Sequence, residues 1–178
     1  MDYQLDQALE ILARTPNVMK SLLSGISEEW VHSTEGPGTW SPYDVVGHLV
    51  HGEKTDWMPR LEIVLSTVGN KTFTPYDRFA QFEMSQGKTL EILLQEFEHL
   101  RTKNLETLRS KNLSEADLQR TAIHPSLGTI TLKNMLASWV VHDLGHLAQV
   151  SRVMAKQYQV EIGPWTKYLT IVNHTPKE

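Results

Sequence analysis

Hydrophobic residues recur at three- and four-residue spacing over four long stretches of the chain, the period of amphipathic helices that each bury one face. The first runs from about Tyr3 to Ser24, with Leu5, Ala8, Leu9 and Leu12 continued by Val18, Met19, Leu22 and Leu23. Thr15 and Pro16 interrupt it. Thr15 as an N-cap with Pro16 at the first helical position predicts a restart or a kink there, and Gly25 ends the segment. Ser27 to Trp30 adds a short helical turn. The second stretch opens on Ser41, Pro42 and Asp44, which read as N-cap, first helical residue and the far half of a capping box. It continues through Val45, Val46 and Leu49, with a disturbance at Pro59, to about Thr67, where Gly69 and Asn70 stop it. The third runs from about Lys88 to Ser110 on Leu90, Leu93, Leu94, Phe97, Leu100, Leu105 and Leu108. The fourth, capped by Thr131, runs from Leu132 to Tyr158.

Between these stretches the pattern is weaker. Lys71 to Tyr76 reads as a loop and Asp77 to Met84 as a short helix. Leu113 to Asp117 forms a turn or short helix. Arg120–Pro125 and Gly128–Thr131 read as two extended arms of a small hairpin around Ser126 and Leu127. Trp165 to Leu169 makes a last short turn. With no strong strand pattern, the expected fold is all-α: a four-helix bundle with short extra helices and a small hairpin, in a single domain spanning residues 1–178.

Candidate chemistry lies in the fourth stretch. His142 and His146, four residues apart, fall about 40° apart on a helical wheel and about 6 Å apart along the axis, on one face and within reach of one metal ion. Two partly buried, hydrogen-bonded histidines would give the same spacing. The surroundings change the balance. With His142 at 0°, Leu132, Met135, Leu136, Trp139, Val150, Val153 and Met154 occupy an arc from about 20° to 120°. The two histidines lie at its edge and Asp143 lies inside it. A buried carboxylate needs partners. Asp143 has two readings: it orients a ligand histidine, or it caps the buried start of the second helix near Ser41. Gln149 extends the polar edge, either lining the site or bonding to nearby backbone. On the second helix, His48 lies at the edge of the apolar arc and points inward. His51 reads as surface or rim, and Glu53 lies about 140° from His48, too far round to share an ion with it. His99, among Glu98, Arg101 and Lys103, reads as solvated. Trp40 and Trp139 read as core or as walls of an apolar pocket.

Composition narrows the functional classes. A formal charge of −4 without a basic run argues against nucleic acid or an anionic membrane surface as partner. No run of apolar residues approaches a membrane span, and the N-terminus lacks the pattern of a signal peptide, so a cytoplasmic protein is expected. The chain has no cysteine. That excludes disulfides, cysteine-ligated zinc and a cysteine nucleophile; any thiol chemistry must use a small thiol from outside.

Taken jointly, Trp40-Ser41-Pro42-x-Asp44-x-x-x-His48-Leu49 and, about ninety residues further on, His142-Asp143-x-x-His146-x-x-Gln149 resemble the DinB/YfiT-like superfamily. The resemblance extends through Leu127–Leu132 and the Gly163-Pro164-Trp165 tail, nearly the whole chain. It implies an up-down-down-up four-helix bundle, often dimeric, with a divalent metal (nickel, zinc, iron or manganese) held by His48, His142 and His146. Members of that superfamily include transferases that use bacillithiol or mycothiol, and many have no known reaction. Three neutral imidazoles leave a 2+ ion uncompensated and a coordination position open, as in catalytic rather than structural sites. The expected function is therefore a metal-dependent enzyme acting on a small molecule, transferring a low-molecular-weight thiol to an electrophile. The alternatives are a metal-dependent hydrolase, with a coordinated water of pKa about 7, and a non-catalytic bundle that binds a metal or small ligand. The catalytic residues beyond the ligands are not indicated, with His51 a weak option as base.

Overall fold

A computed structural model describes residues 1–174 of the chain. Four long helical segments form the bundle: α1 (Leu5–Leu23), α3 (Pro42–Thr55) continued by α4 (Trp57–Leu65), α6 (Leu90–Ser110) and α8 (Leu132–Gln157). The shorter elements are α2 (Glu28–His32), α5 (Ala80–Ser85), α7 (Glu115–Leu118) and an antiparallel hairpin of β1 (Thr121–His124) and β2 (Gly128–Thr131). The hairpin pairs Thr121 with Thr131 and His124 with Gly128. Two 3-10 turns, Gly163–Lys167 and Thr170–Asn173, follow α8. No helix among the described residues is long and apolar enough to cross a membrane.

Cross-helix contacts fix the direction of each helix. Leu12 meets Arg101 while Ser24 meets Glu91, so α1 and α6 are antiparallel. Tyr43 bonds to Ser85 and Lys88 at one end, and Glu53 to Arg101 and Asn104 further along, so α3 and α6 run parallel. His48 approaches His146 while Trp57 stacks on Trp139, so α3 and α8 are antiparallel. The order is therefore up-down-down-up. The parallel middle pair requires the long crossover between α4 and α6, and that crossover supplies part of the functional cleft.

Helix boundaries follow the capping chemistry. Ser41 accepts from the Asp44 amide and Asp44 reaches back to Ser41, a complete capping box. Thr131 and Asn134 do the same for α8, and Ser114 and Asp117 for α7. The disturbance expected at Pro59 appears as the break between Thr55 and Trp57. A proline lacks the N–H that would reach the carbonyl four residues earlier, here Thr55, and its ring crowds that carbonyl.

The restart expected at Thr15 does not occur. α1 is continuous with Pro16 inside it, and the Thr15 hydroxyl donates back to the Ile11 carbonyl instead of capping. Pro16 leaves the Leu12 carbonyl without its helical donor, and the Arg101 guanidinium takes that place at 2.7 Å. A tertiary contact thus satisfies the group that the proline orphans.

The apolar interior has two clusters. One contains Leu9, Leu12, Trp57, Leu61 and Trp139, the other Met19, Leu23, Val45, Leu49, Phe97 and Val150. Arg101 lies between them, its guanidinium 4.9 Å from the Phe97 ring centre and 5.1 Å from that of Trp139.

Candidate metal centre

His48 on α3 and His142 and His146 on α8 converge. The Nε2 atoms of His48 and His142 are 3.0 Å apart, and those of His142 and His146 are 3.1 Å apart. Each of the three offers a nitrogen within 4.8 Å of the others'. A helix can offer two ligands at i and i+4 because they lie nearly above one another; the antiparallel neighbour α3 offers the third, His48, about two turns before the break at Asp56.

The nitrogens fit a divalent metal. Metal–nitrogen bonds of about 2.1 Å at angles between octahedral and tetrahedral place ligand nitrogens about 3.0–3.4 Å apart. Hydrogen bonding alone does not account for the cluster. His146 Nδ1 lies 2.8 Å from Gln149 Oε1, so Nδ1 carries the proton and Nε2 presents a lone pair. At least one of the two close nitrogen pairs then has no proton to share. A cation held between them would supply what these lone pairs lack.

The surroundings favour neutral rings. Burial, reinforced by the neighbouring His146 and His142, pushes His48 down to about 2 from the usual 6.5. Burial and His142 push His146 down to about 4, against the opposing effect of Gln149. His48 presents Nδ1 to the Tyr76 hydroxyl at 3.4 Å. The Trp40 ring lies 4.9 Å from His48 and nearly parallel to His146 at 6.4 Å. Trp57 meets His142 edge-on at 5.2 Å and stacks on Trp139 behind it. Trp40 is thus a wall of the cleft. Trp139 is fully buried core.

These shifts predict acid sensitivity in the metal-free protein. Both groups have native values below their unfolded ones, so between pH 6.5 and about 4 the unfolded chain binds more protons than the native one. Stability therefore falls as pH drops through that window, by on the order of 1.4 kcal/mol per pH unit for each group. Urea midpoints in EDTA at pH 7 and pH 5 measure it. The loss should shrink in His146→Gln, whose amide does not titrate.

The remaining candidates separate clearly. Gln149 lines the site's edge and fixes the His146 tautomer. Gln149→Ala removes that acceptor and is expected to weaken metal affinity by about 10–100-fold with the fold intact, as read by competition with a chromogenic chelator. His99 is exposed, as expected. Glu53 points away from the three histidines, also as expected, and is fully engaged elsewhere.

Asp143 does not cap α3, because Asp44 does. It forms a two-point ion pair with Arg101, at 2.5 and 3.0 Å, and its Oδ1 stands 3.9 Å from His142 Nδ1, beyond hydrogen-bond reach. The carboxylate's field there favours a proton on Nδ1 and leaves Nε2 free. Burial acts to raise the Asp143 carboxyl, but His142 and Arg101 outweigh it and hold the group below its usual range.

His51 is not at the surface. It is buried, with Nε2 3.1 Å from the Asp77 carbonyl and Nδ1 2.9 Å from Met84 Sδ. The crossover between α4 and α6 folds back over α3 and covers this ring, which isolated wheel geometry does not reveal. His51 therefore anchors the segment that carries Tyr76 and Arg78.

Beside the three histidines opens a cleft of about 490 Å³, whose lining also includes Asp56, Arg60, Tyr76, Arg78, His124 and Ser138. Asp56, Tyr76, Arg78 and His124 come from a helix break, a loop and the hairpin, where no periodicity marks a residue as inward; Arg60 and Ser138 are polar residues on α4 and α8. Arg101 did carry a signal. It falls in the apolar series Leu94, Phe97, Leu105 and Leu108 of α6, where a charged residue must either break the stripe or be paired within the core.

Comparison with known proteins agrees with this architecture. A metal-dependent hydrolase of Oceanobacillus iheyensis, named as putative, is 25% identical over 143 residues, covering 80% of this chain and 81% of the relative. A second so named, from Bacillus licheniformis, is 25% identical over 153 residues, covering 83% of each. The structure of YfiT from Bacillus subtilis, described as a probable metal-dependent hydrolase with an unusual four-helix bundle topology, superimposes with a TM-score of 0.73 at 22% identity, covering 86% of this chain and 87% of that one. The sequence model of the DinB superfamily matches residues 11–150, well over half the length, and the chain belongs to that superfamily.

Proposed function

We propose that the protein is a divalent-metal-dependent hydrolase acting on a small molecule bound in the cleft beside His48, His142 and His146. The convergence of three imidazole nitrogens at 3.0 and 3.1 Å, open on one side to that cleft, carries the reading. The naming of the two curated relatives supports hydrolysis over other metal chemistry. A divalent ion so held supplies Lewis acidity, polarising a substrate carbonyl or phosphoryl oxygen and acidifying a coordinated water.

The chain's own groups do the rest. Gln149 holds the His146 ring through Nδ1, and Tyr76 faces Nδ1 of His48. Burial and then the Asp56 carboxylate push the Tyr76 hydroxyl well above its ordinary value, so it stays protonated at neutral pH and serves as a hydrogen-bond donor in the cleft. Asp56 is the one carboxylate among the lining residues. Burial raises its proton affinity against the opposing Arg60, which suits it to accept a proton from an attacking water. Trp40 and Trp57 exclude solvent from two sides.

Transfer of a small thiol is the second reading: it would use the same imidazoles, and the chain's lack of cysteine is compatible with it, since the thiol would come from outside. The two separate in one experiment. Protein loaded in turn with Zn²⁺, Ni²⁺, Mn²⁺ and Fe²⁺ is assayed against ester and amide panels, and against small thiols with monobromobimane. Metal-dependent ester or amide cleavage is expected. Thiol consumption without cleavage would establish the transferase instead, and metal binding without any turnover would establish a binding module.

A further inference from the structure

We propose that the cleft selects substrates bearing an anionic group, a carboxylate or a phosphate, which is held by Arg78 at the rim while the reacting bond lies at the three histidines. The inference rests on the hydrolase reading for the reaction but not for the binding.

The first argument is charge. The chain as a whole carries −4, yet the cleft lining holds two arginines, Arg60 and Arg78, against one carboxylate, Asp56. Asp56 is already neutralised by Arg60, Nε to Oδ1 at 2.6 Å. Arg78 has no ion-pair partner among the described residues, although acidic side chains outnumber basic ones in this chain. The uncompensated charge in the cleft is therefore positive before any metal is bound. Low-dielectric walls of tryptophan and tyrosine concentrate that field on the cleft interior.

The second argument is construction. Arg78 is not on a free loop. The Asp77 side chain accepts from the amides of Phe79 and Ala80, closing the turn that leads into α5. The Asp77 carbonyl accepts from the buried His51. The backbone on the N-terminal side of Arg78 is thus tied to α3, the helix that carries His48. A guanidinium is suited to this task, because its planar fork matches carboxylate and phosphate oxygens. His124 adds a donor. Its Nδ1 accepts from the amides of Ser126 and Leu127, so the proton sits on Nε2 of a ring that lines the same cleft.

The test has two arms. In the first, metal-stripped full-length protein is titrated with phthalate, and with its neutral analogue phthalamide, by isothermal titration calorimetry. Stripping the metal removes direct coordination of the anion as an explanation. Saturable phthalate binding is expected, at least tenfold tighter than phthalamide, weakened at least tenfold in Arg78→Ala, partly restored in Arg78→Lys and unchanged in the control Lys103→Ala. Absence of binding, equal affinity for the two probes, or no effect of Arg78→Ala would overturn the inference. In the second arm, metal-loaded protein is compared on the 4-nitrophenyl monoester of succinic acid and on 4-nitrophenyl butyrate. Preference for the anionic ester should fall at least tenfold in Arg78→Ala at unchanged metal content. Turnover with no such preference rejects the anion site alone. Phthalate binding without ester turnover rejects the hydrolase reading alone.

Discussion

Replacing His142 with alanine is expected to abolish stoichiometric metal binding. His142 is the central histidine of the three, since its Nε2 is the one that approaches both others, at 3.0 and 3.1 Å. Without it, His48 and His146 remain as two ligands from different helices, and apparent affinity should fall by more than the roughly 10–100-fold typical of losing an outer partner. Wild type purified without chelator should carry about one ion per chain, and the variant a small fraction of that. A thermal readout is independent of turnover. Metal at a hundredfold excess over its dissociation constant stabilises by about 2.7 kcal/mol, which for a domain of this size raises the midpoint by roughly 5–10 °C. That rise should vanish in His142→Ala. The metal-free fold should persist, because the side chain is 27% exposed and its removal opens toward the cleft. A variant that still carried one ion per chain and kept the metal-dependent rise would remove the basis for both the centre and the hydrolase reading.

The four long helices and the three histidines that converge were legible in the sequence for a common reason. Each rests on periodicity, which survives in one dimension. His142 and His146 share a helical face by spacing alone, and the caps at Ser41 and Thr131 are local interactions over three residues. What failed to show depends on partners distant in sequence. Pro16 reads as a restart or kink because the donor to the Leu12 carbonyl lies on another helix. His51 reads as surface because the segment that covers it is a crossover without a pattern. The cleft wall drew Asp56 from a helix break, Tyr76 and Arg78 from a loop and His124 from a hairpin, so no single periodicity joined them. The tautomer chemistry was half legible. Gln149 stood at the right edge of the wheel, but only the 2.8 Å contact to His146 decides that it serves the ring rather than the backbone.

Arg101→Met should destabilise the protein by about 3–5 kcal/mol, the cost of leaving buried charges without their counter-ion. All five guanidinium donors are engaged. Nε and Nη2 reach Glu53 at 3.0 and 2.8 Å, Nη1 and Nη2 reach Asp143 at 2.5 and 3.0 Å, and Nη1 also reaches the Leu12 carbonyl at 2.7 Å. Glu53 is held in addition by the Asn104 amide at 2.9 Å. Burial, with a smaller push from the Asp143 carboxylate, holds the Glu53 carboxyl up even with Arg101 and Asn104 opposing it. Methionine fills much of the space between Phe97 and Trp139 but leaves two carboxylates facing each other across an apolar gap, and it leaves the carbonyl orphaned by Pro16 without a donor. Protonation is the remaining escape, so in the variant both carboxyls have native values above their unfolded ones. Stability contributed by such groups is present at low pH and lost as pH rises through the native value. The gap between variant and wild type should therefore be widest at pH 7.5 and narrow at pH 5, and because the histidines are common to both proteins their own acid sensitivity cancels in the difference. Urea unfolding of both proteins in EDTA at the two pH values measures this, and at pH 7.5 the midpoint temperature should drop on the order of 10 °C. Adding Glu53→Gln and Asp143→Asn to Arg101→Met removes the uncompensated charge and should recover part of the loss at pH 7.5 but little at pH 5. A loss below about 1 kcal/mol, or one indifferent to pH, would mean that solvent reaches the two carboxylates. Arg101 would then be a replaceable filler between the clusters rather than the group that ties α1, α3 and α8 to α6.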